Sequence, residues 1–185
     1  MSFFRKSSLE PLAVSMSGVK LGDRLLVLGG SDPILTAALA SKAGLTGRAC
    51  ALDASAEATA AAAAAVERQG VLIETFTAPW TMLPFDSDSF DVVVFRNVLG
   101  PLAPDGRAGA VREARRVLRP GGRCLVIDDA ARRALAGLLG GRGASLQYAS
   151  QGGGRQALES GGFRGVRTLA EREGQVFVEG TNPNP

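Results

Sequence analysis

The sequence predicts a doubly wound α/β fold: a mostly parallel, seven-stranded sheet with helices on both faces, closed by an antiparallel C-terminal hairpin. Three observations predict it. Short apolar runs alternate five times with longer stretches of helical character, as parallel strands with crossover helices require. The first run, Arg24–Gly29, is apolar without alternation after its arginine, which marks a strand covered on both faces. The last two runs are separated only by Glu171-Arg172-Glu173-Gly174, a hairpin spacing.

Each element has its own signal. Arg24–Gly29 is the first strand, entered by the turn Leu21-Gly22-Asp23. Asp32 can cap the next helix and Pro33 suits its first turn, so a helix runs to about Ala43 and stops at Gly44. Arg48–Asp53 is the second strand. Ala56–Gln69 is alanine-rich and closed by Gly70; alanine has the best helix propensity, so its low complexity reads as helix and not disorder. Val71–Thr77 and Phe90–Phe95 are strands three and four, the latter rich in β-branched residues. A helix covers about Asp105–Leu118 and gives way to the turn Arg119-Pro120-Gly121-Gly122 before strand five, Arg123–Asp128. Asp129–Leu139 reads as helix, 140–155 has turn composition, and Gln156–Ser160 is a short helix. Phe163–Leu169 and Gln175–Glu179 form the hairpin.

The 185 residues suit one domain over 21–180, with an N-terminal lid segment over 1–20 and a fraying tail over 181–185. There is no histidine, which removes Ser-His-Asp and Cys-His triads, HExxH zinc sites and imidazole switching. Cys50 and Cys124, each inside a strand, are too few for a disulfide framework or a four-cysteine zinc site, and core packing explains them. No run is long enough for a membrane span, and the N-terminus lacks a signal peptide's apolar stretch, so the cytoplasm is the expected compartment. Net charge is +3, carried by 18 Arg and 3 Lys. Arg112, Arg115, Arg116 and Arg119 share helical spacing; they read as a phosphate or nucleic-acid face or as a solvated helix face. Without interleaved aromatics the second is favoured and nucleic acid is not expected.

In doubly wound sheets, ligands sit beyond the carboxyl ends of the strands at the switch point. That edge carries Gly29–Asp32, Asp53–Ala54, Ala78–Thr81 and Arg96–Leu99. Gly29 and Gly30 let a ligand approach the backbone at a helix N-terminus, although they also suit a tight strand–helix turn. Asp53 can accept both hydroxyl protons of a ribose, or cap the following helix near Ser55. No GxGxxG follows a strand and no GxxxxGK[ST] exists, so dinucleotide and P-loop readings lose their support.

The segments LPFDSDSFDVVV (83–94) and EARRVLRPGGRCLVID (113–128) carry a resemblance. With them the chain, from about Val19 to Glu179, resembles the class I S-adenosylmethionine-dependent methyltransferases of the small-molecule type, a Rossmann-like family. The resemblance implies S-adenosylmethionine as cofactor, with Gly29, Gly30, Ser31, Asp53, Ala54, Trp80, Thr81 and Arg96 around it and Asn97 orienting a small-molecule acceptor. It implies Met16 as part of a lid, with a plain core position as the alternative.

The cofactor motif is degenerate. Val27 stands where the family has an acid, Ser31 and Pro33 replace two glycines, and Pro79 lacks the N–H that meets adenine. Asp32 is a candidate replacement carboxylate, and Trp80 a candidate adenine-stacking ring or an edge-packing residue. Asp128 and Asp129 are the acids at the acceptor edge. The expected activity is methyl transfer to a small molecule by a monomer or homodimer. The alternative is a non-catalytic binding or regulatory module on the same fold.

Overall fold

A computed structural model describes residues 12–30, 32–129 and 143–184. In chain order these form α1 (Leu12–Ser17), β1 (Arg24–Leu28), α2 (Pro33–Ala43), β2 (Arg48–Asp53), α3 (Ala56–Glu67), β3 (Glu74–Thr77), β4 (Phe90–Arg96), α4 (Pro104–Val117), β5 (Leu118–Asp129), α5 (Gly143–Ser150), α6 (Gly153–Ser160), β6 (Arg164–Arg172) and β7 (Gln175–Thr181). The seven strands make one sheet in the order β3-β2-β1-β4-β5-β7-β6. Pairings from β3 through β5 are parallel, whereas β7 runs antiparallel to both β5 and β6. The predicted class and its closing hairpin are therefore present.

Side chains along the central strands divide the core into two layers. Leu25, Val27, Val94, Leu125 and Ile127 face α1 and α2 with Leu35 and Leu39, and Leu26, Leu28, Phe95, Cys124 and Val126 face α4 and α6 with Val111, Ala114 and Leu158. Val27 is thus core, buried under the first layer, and offers no polar group to the edge. Burial also pushes the Cys50 thiol up to about 11 and Cys124 higher still, so neither supplies a thiolate near neutrality.

The structure departs from the expected boundaries in four places. β3 starts at Glu74, not Val71: its ladder to β2 opens at Cys50↔Glu74, and Leu72, without a strand partner, stays exposed. The turn Arg119–Gly122 is a loop-out within a longer β5, because Phe90 pairs with Leu118 and Val92 already pairs with Arg123. The glycine-rich stretch holds α5, and the expected helix to Ser160 starts at Gly153 instead of Gln156. Glycine there serves close packing, since a Cβ on Gly154 would lie 3.0 Å from Val126 Cγ1. The tail does not fray from 181: Thr181 ends β7, and the buried Asn182 amide donates to the carbonyls of Arg115, Leu118 and Arg119 at 3.2, 2.7 and 3.3 Å. Most of the helix expected over Asp129–Leu139, and most of the N-terminal lid segment, lie outside the described residues; Asp129 itself ends β5.

Candidate functional site

β1 lies between β2 and β4, so the crossover from β3 to β4 opens a crevice at the carboxyl ends of β1 and β4. Gly29 turns the chain out of β1 with φ of 104° and donates to Leu52 O at 2.9 Å. A Cβ at this position would meet Arg96 O at 2.5 Å and Val98 Cγ2 at 2.9 Å, so only glycine fits. The next amide, Gly30 N–H, donates to Asp53 Oδ2 at 2.8 Å, and Ser55 N–H donates to Asp53 Oδ1 at 3.0 Å. The two glycines and Asp53 thus form one unit. Each carboxylate oxygen of the half-buried Asp53 keeps a lone pair for a further donor. The capping reading of Asp53 gives way, because Ser55 caps α3 by accepting from Ala58 N–H at 3.3 Å. Ala54 is exposed beside it, and Ser31 lies outside the described residues.

A second unit occupies the ends of β4 and β5. Arg96, 7% exposed, donates to Asp129 Oδ1 at 2.8 Å and approaches Asp32 Oδ2 at 3.4 Å. Asp32 is simultaneously the N-cap of α2, accepting from Leu35 N–H at 3.0 Å. Its carboxylate is therefore engaged with Arg96 and the α2 N-terminus. Asn97 sits in the left-handed region, with φ of 57°, where a short amide side chain is tolerated. Its Nδ2 donates to Asp129 Oδ2, and its Oδ1 accepts from Asp129 N–H, both at 2.8 Å. Burial pushes the Asp129 carboxyl up, but the Arg96 guanidinium and the Asn97 and Gln175 amides outweigh it and hold the group below the usual carboxylate range.

In a third unit the sequence pointed to Asp128 but not to its partners Tyr148 and Arg107. Tyr148, the chain's one tyrosine, is buried on α5 and donates to Asp128 Oδ2 at 2.7 Å. Buried Arg107 lies 4.6 Å from the Tyr148 ring centroid and donates to Leu99 O and Leu102 O. Asn97, Asp128, Asp129 and Tyr148 share the wall of a small cleft of about 50 Å³ at this edge. The available signal was the lone tyrosine at helical spacing from Ser145, and the surrounding glycines masked it.

After β3, Trp80 packs half-buried against the layer that contains Phe90 and Val93, and the Thr81 methyl faces Gly109 of α4. The family-bearing segments prove to be a structural staple. Leu83 N–H donates to Glu113 Oε2 at 2.8 Å, Arg116 donates to Phe85 O at 2.8 Å and Leu83 O at 3.1 Å, and Arg119 Nε donates to Asp91 Oδ1 at 2.5 Å. Arg115 donates to Asn182 Oδ1 at 3.3 Å. Three of the four clustered arginines thus tie the fold together rather than forming a continuous phosphate face. Among the described residues no group of three or more His, Cys, Asp or Glu could hold a metal, and no helix is long and apolar enough to cross a membrane.

Comparison with known proteins agrees with this geometry. A family model described as "Methyltransferase domain" matches residues 26–126. The 2-phytyl-1,4-beta-naphthoquinone methyltransferase of Arabidopsis thaliana chloroplasts is 37% identical over 128 residues, covering 63% of this chain. The chain spans about half of that relative, 46% of its length. A SAM-dependent methyltransferase from Aquifex aeolicus superposes with a TM-score of 0.70 at 18% identity, over 91% of this chain and 86% of that one. The S-adenosylmethionine-dependent methyltransferase SibL, in its apo form, gives 0.67 at 24% identity, over 92% and 52%. These likenesses share the fold, and the family match covers the switch point, both staple segments and Asp53. The chain belongs to the methyltransferase domain family.

Proposed function

We propose that the chain transfers a methyl group from S-adenosylmethionine to a small-molecule acceptor. The Gly29–Gly30–Asp53 unit carries this reading: a turn that excludes any Cβ, beside a half-buried carboxylate with spare acceptor capacity, fits a ribose that offers two hydroxyls. When bound, the cofactor supplies an activated methyl on a sulfonium. The chain's residues then have to bind, orient and exclude water. Asp53 holds the ribose, and the Gly29 turn gives the cofactor access to the backbone. Trp80 offers an apolar face to the adenine, and Arg96 places a buried positive charge on the methionine side, balanced by Asp32 and Asp129. Asn97 and Asp129 fix one another's orientation, so their polar atoms meet an acceptor without reorganisation. The Asp128–Tyr148 pair borders the same cleft and is the candidate for receiving or relaying an acceptor proton.

Two observations support a small acceptor. The described residues form the sheet, its covering helices and the loops between them, without an inserted domain. The relative from Arabidopsis carries a 2-phytyl-naphthoquinone in its name, a small-molecule rather than a macromolecular acceptor. Titration calorimetry with S-adenosylhomocysteine tests the core of the reading. Heat consistent with micromolar affinity, about −8 kcal/mol, is expected; its absence at about 100 μM protein overturns it and leaves the non-catalytic module.

A further inference from the structure

Outside the switch-point crevice, α4, α6 and Tyr148 of α5 line a groove of about 350 Å³. That volume lies in the range of small-molecule sites. Val111, Ala108 and Ala157 give the groove an apolar floor, small enough at its centre that Gly161 approaches Val111 where a Cβ would come within 2.3 Å. Its ionisable lining is one-sided: Arg107, Arg112 and Arg115 contribute, and no carboxylate does. Arg107 is committed to Leu99 O, Leu102 O and the Tyr148 ring. Arg115 spends its Nε on the neutral Asn182 amide, and no carboxylate of the groove lining faces it. Arg112 is exposed; the carboxylate that feels its charge, Glu113, lies outside the groove lining and is bound by Arg116. Gln156 and Ser160 add neutral polar groups on the opposite wall.

An apolar floor beside two guanidinium groups, with no carboxylate in the lining, has a specific complement. Pure hydrocarbon would leave the arginines without a partner, and a bare inorganic anion would leave the floor wet. We propose that the α4–α6 groove binds an amphipathic organic anion, a small molecule whose apolar body covers Val111 and Ala157 while its carboxylate, sulfonate or phosphate meets Arg112 and Arg115. The site is separate from the crevice assigned to the cofactor, so it stands or falls independently of methyl transfer. Tyr148 is the shared element, since it lines the groove and holds Asp128 at the acceptor edge.

The test uses the full chain and 8-anilinonaphthalene-1-sulfonate, an amphipathic anion that fluoresces when its body leaves water. Saturable one-site binding is expected, with amide shifts in a ¹⁵N-labelled sample centred on Ala108, Arg112, Gln156 and Ser160. Arg112→Gln combined with Arg115→Gln should weaken binding about tenfold, and neutral N-phenyl-1-naphthylamine should bind the wild type several-fold less tightly. Ala108 is exposed, so Ala108→Trp can fill the groove without entering the core and should abolish binding. Unchanged affinity in both variants, equal binding of the neutral analogue, or shifts centred away from the groove would each overturn the proposal.

Discussion

At the residue scale, the site depends on groups that do two jobs. Gly29 both leaves β1 and clears Arg96 O, so Gly29→Ala should cost about 2–3 kcal/mol in urea unfolding, from the positive φ and the clash together. A cost near that of an ordinary surface change would show that the turn relaxes easily. Asp53 ties Gly30 and Ser55 while reserving lone pairs for a ligand, so its replacement separates the two roles. Asp53→Asn should weaken S-adenosylhomocysteine at least tenfold in calorimetry but lower unfolding stability by only about 1 kcal/mol. Equal affinity would remove Asp53 from the ribose site. Gly29, Asp53 and Asn97 were legible in the sequence because their chemistry is local: a turn, a strand end and a polar residue after a strand. Tyr148 and Arg107 were not, since their pairing joins α4 to α5 across a stretch whose glycines read as turns. Asp32 was legible as the cap of α2, whereas its contact with Arg96, 64 residues away in the chain, was not.

At the element scale, the segments that carried the family resemblance act as fasteners. Glu113 accepts from Leu83 N–H and pairs with Arg116, whose remaining donors reach Leu83 O and Phe85 O. The hydrogen bonds from Arg116 pull the Glu113 carboxyl below its ordinary range despite burial, with Leu83 N–H adding to the effect. The motif therefore reports how α4 is clamped to the loop before β4, and it is informative about fold while silent about acceptor. Glu113→Gln should cost about 1–2 kcal/mol and expose the 83–89 loop to proteolysis, without changing cofactor affinity. A loss of cofactor binding equal to that of Asp53→Asn would instead place the clamp within the site. Helix boundaries were legible wherever a cap was local, as with Asp32 and Gly44 around α2. β3 and β5 were less so, because a strand's length depends on its partner: Val71–Ile73 lacks one, and Arg119–Gly122 is carried into β5 by pairing on both sides of the loop-out.

At the scale of the whole molecule, the two hydrophobic layers supply the bulk of the stability and are insensitive to pH, while the carboxylates at the sheet's rim are not. Asp129 is held low by Arg96 and Asn97, and Asp91, despite burial, by Arg119 and Arg24. Glu113 is held low in the same way. Each depressed carboxyl favours the native state only while it is ionised. Its contribution is complete above the unfolded value, about 3.9 for Asp and 4.3 for Glu, and is lost as pH falls from there through the native value. With no histidine in the chain, no imidazole contributes a slope between pH 5 and 7. Unfolding free energy from urea curves should therefore stay nearly flat from pH 7 to 5 and drop below about pH 4. Asp129→Asn should flatten the acid limb and lower the plateau, because Arg96 would lose its strongest partner while buried. If ligand occupies the crevice as proposed, S-adenosylhomocysteine at a hundredfold excess over Kd should raise the plateau by about 2.7 kcal/mol in the wild type and by much less at the same concentration in Asp53→Asn. A steep loss of stability between pH 7 and 5 would show that some other group controls the rim, and a plateau unmoved by ligand would separate this fold from its family's cofactor.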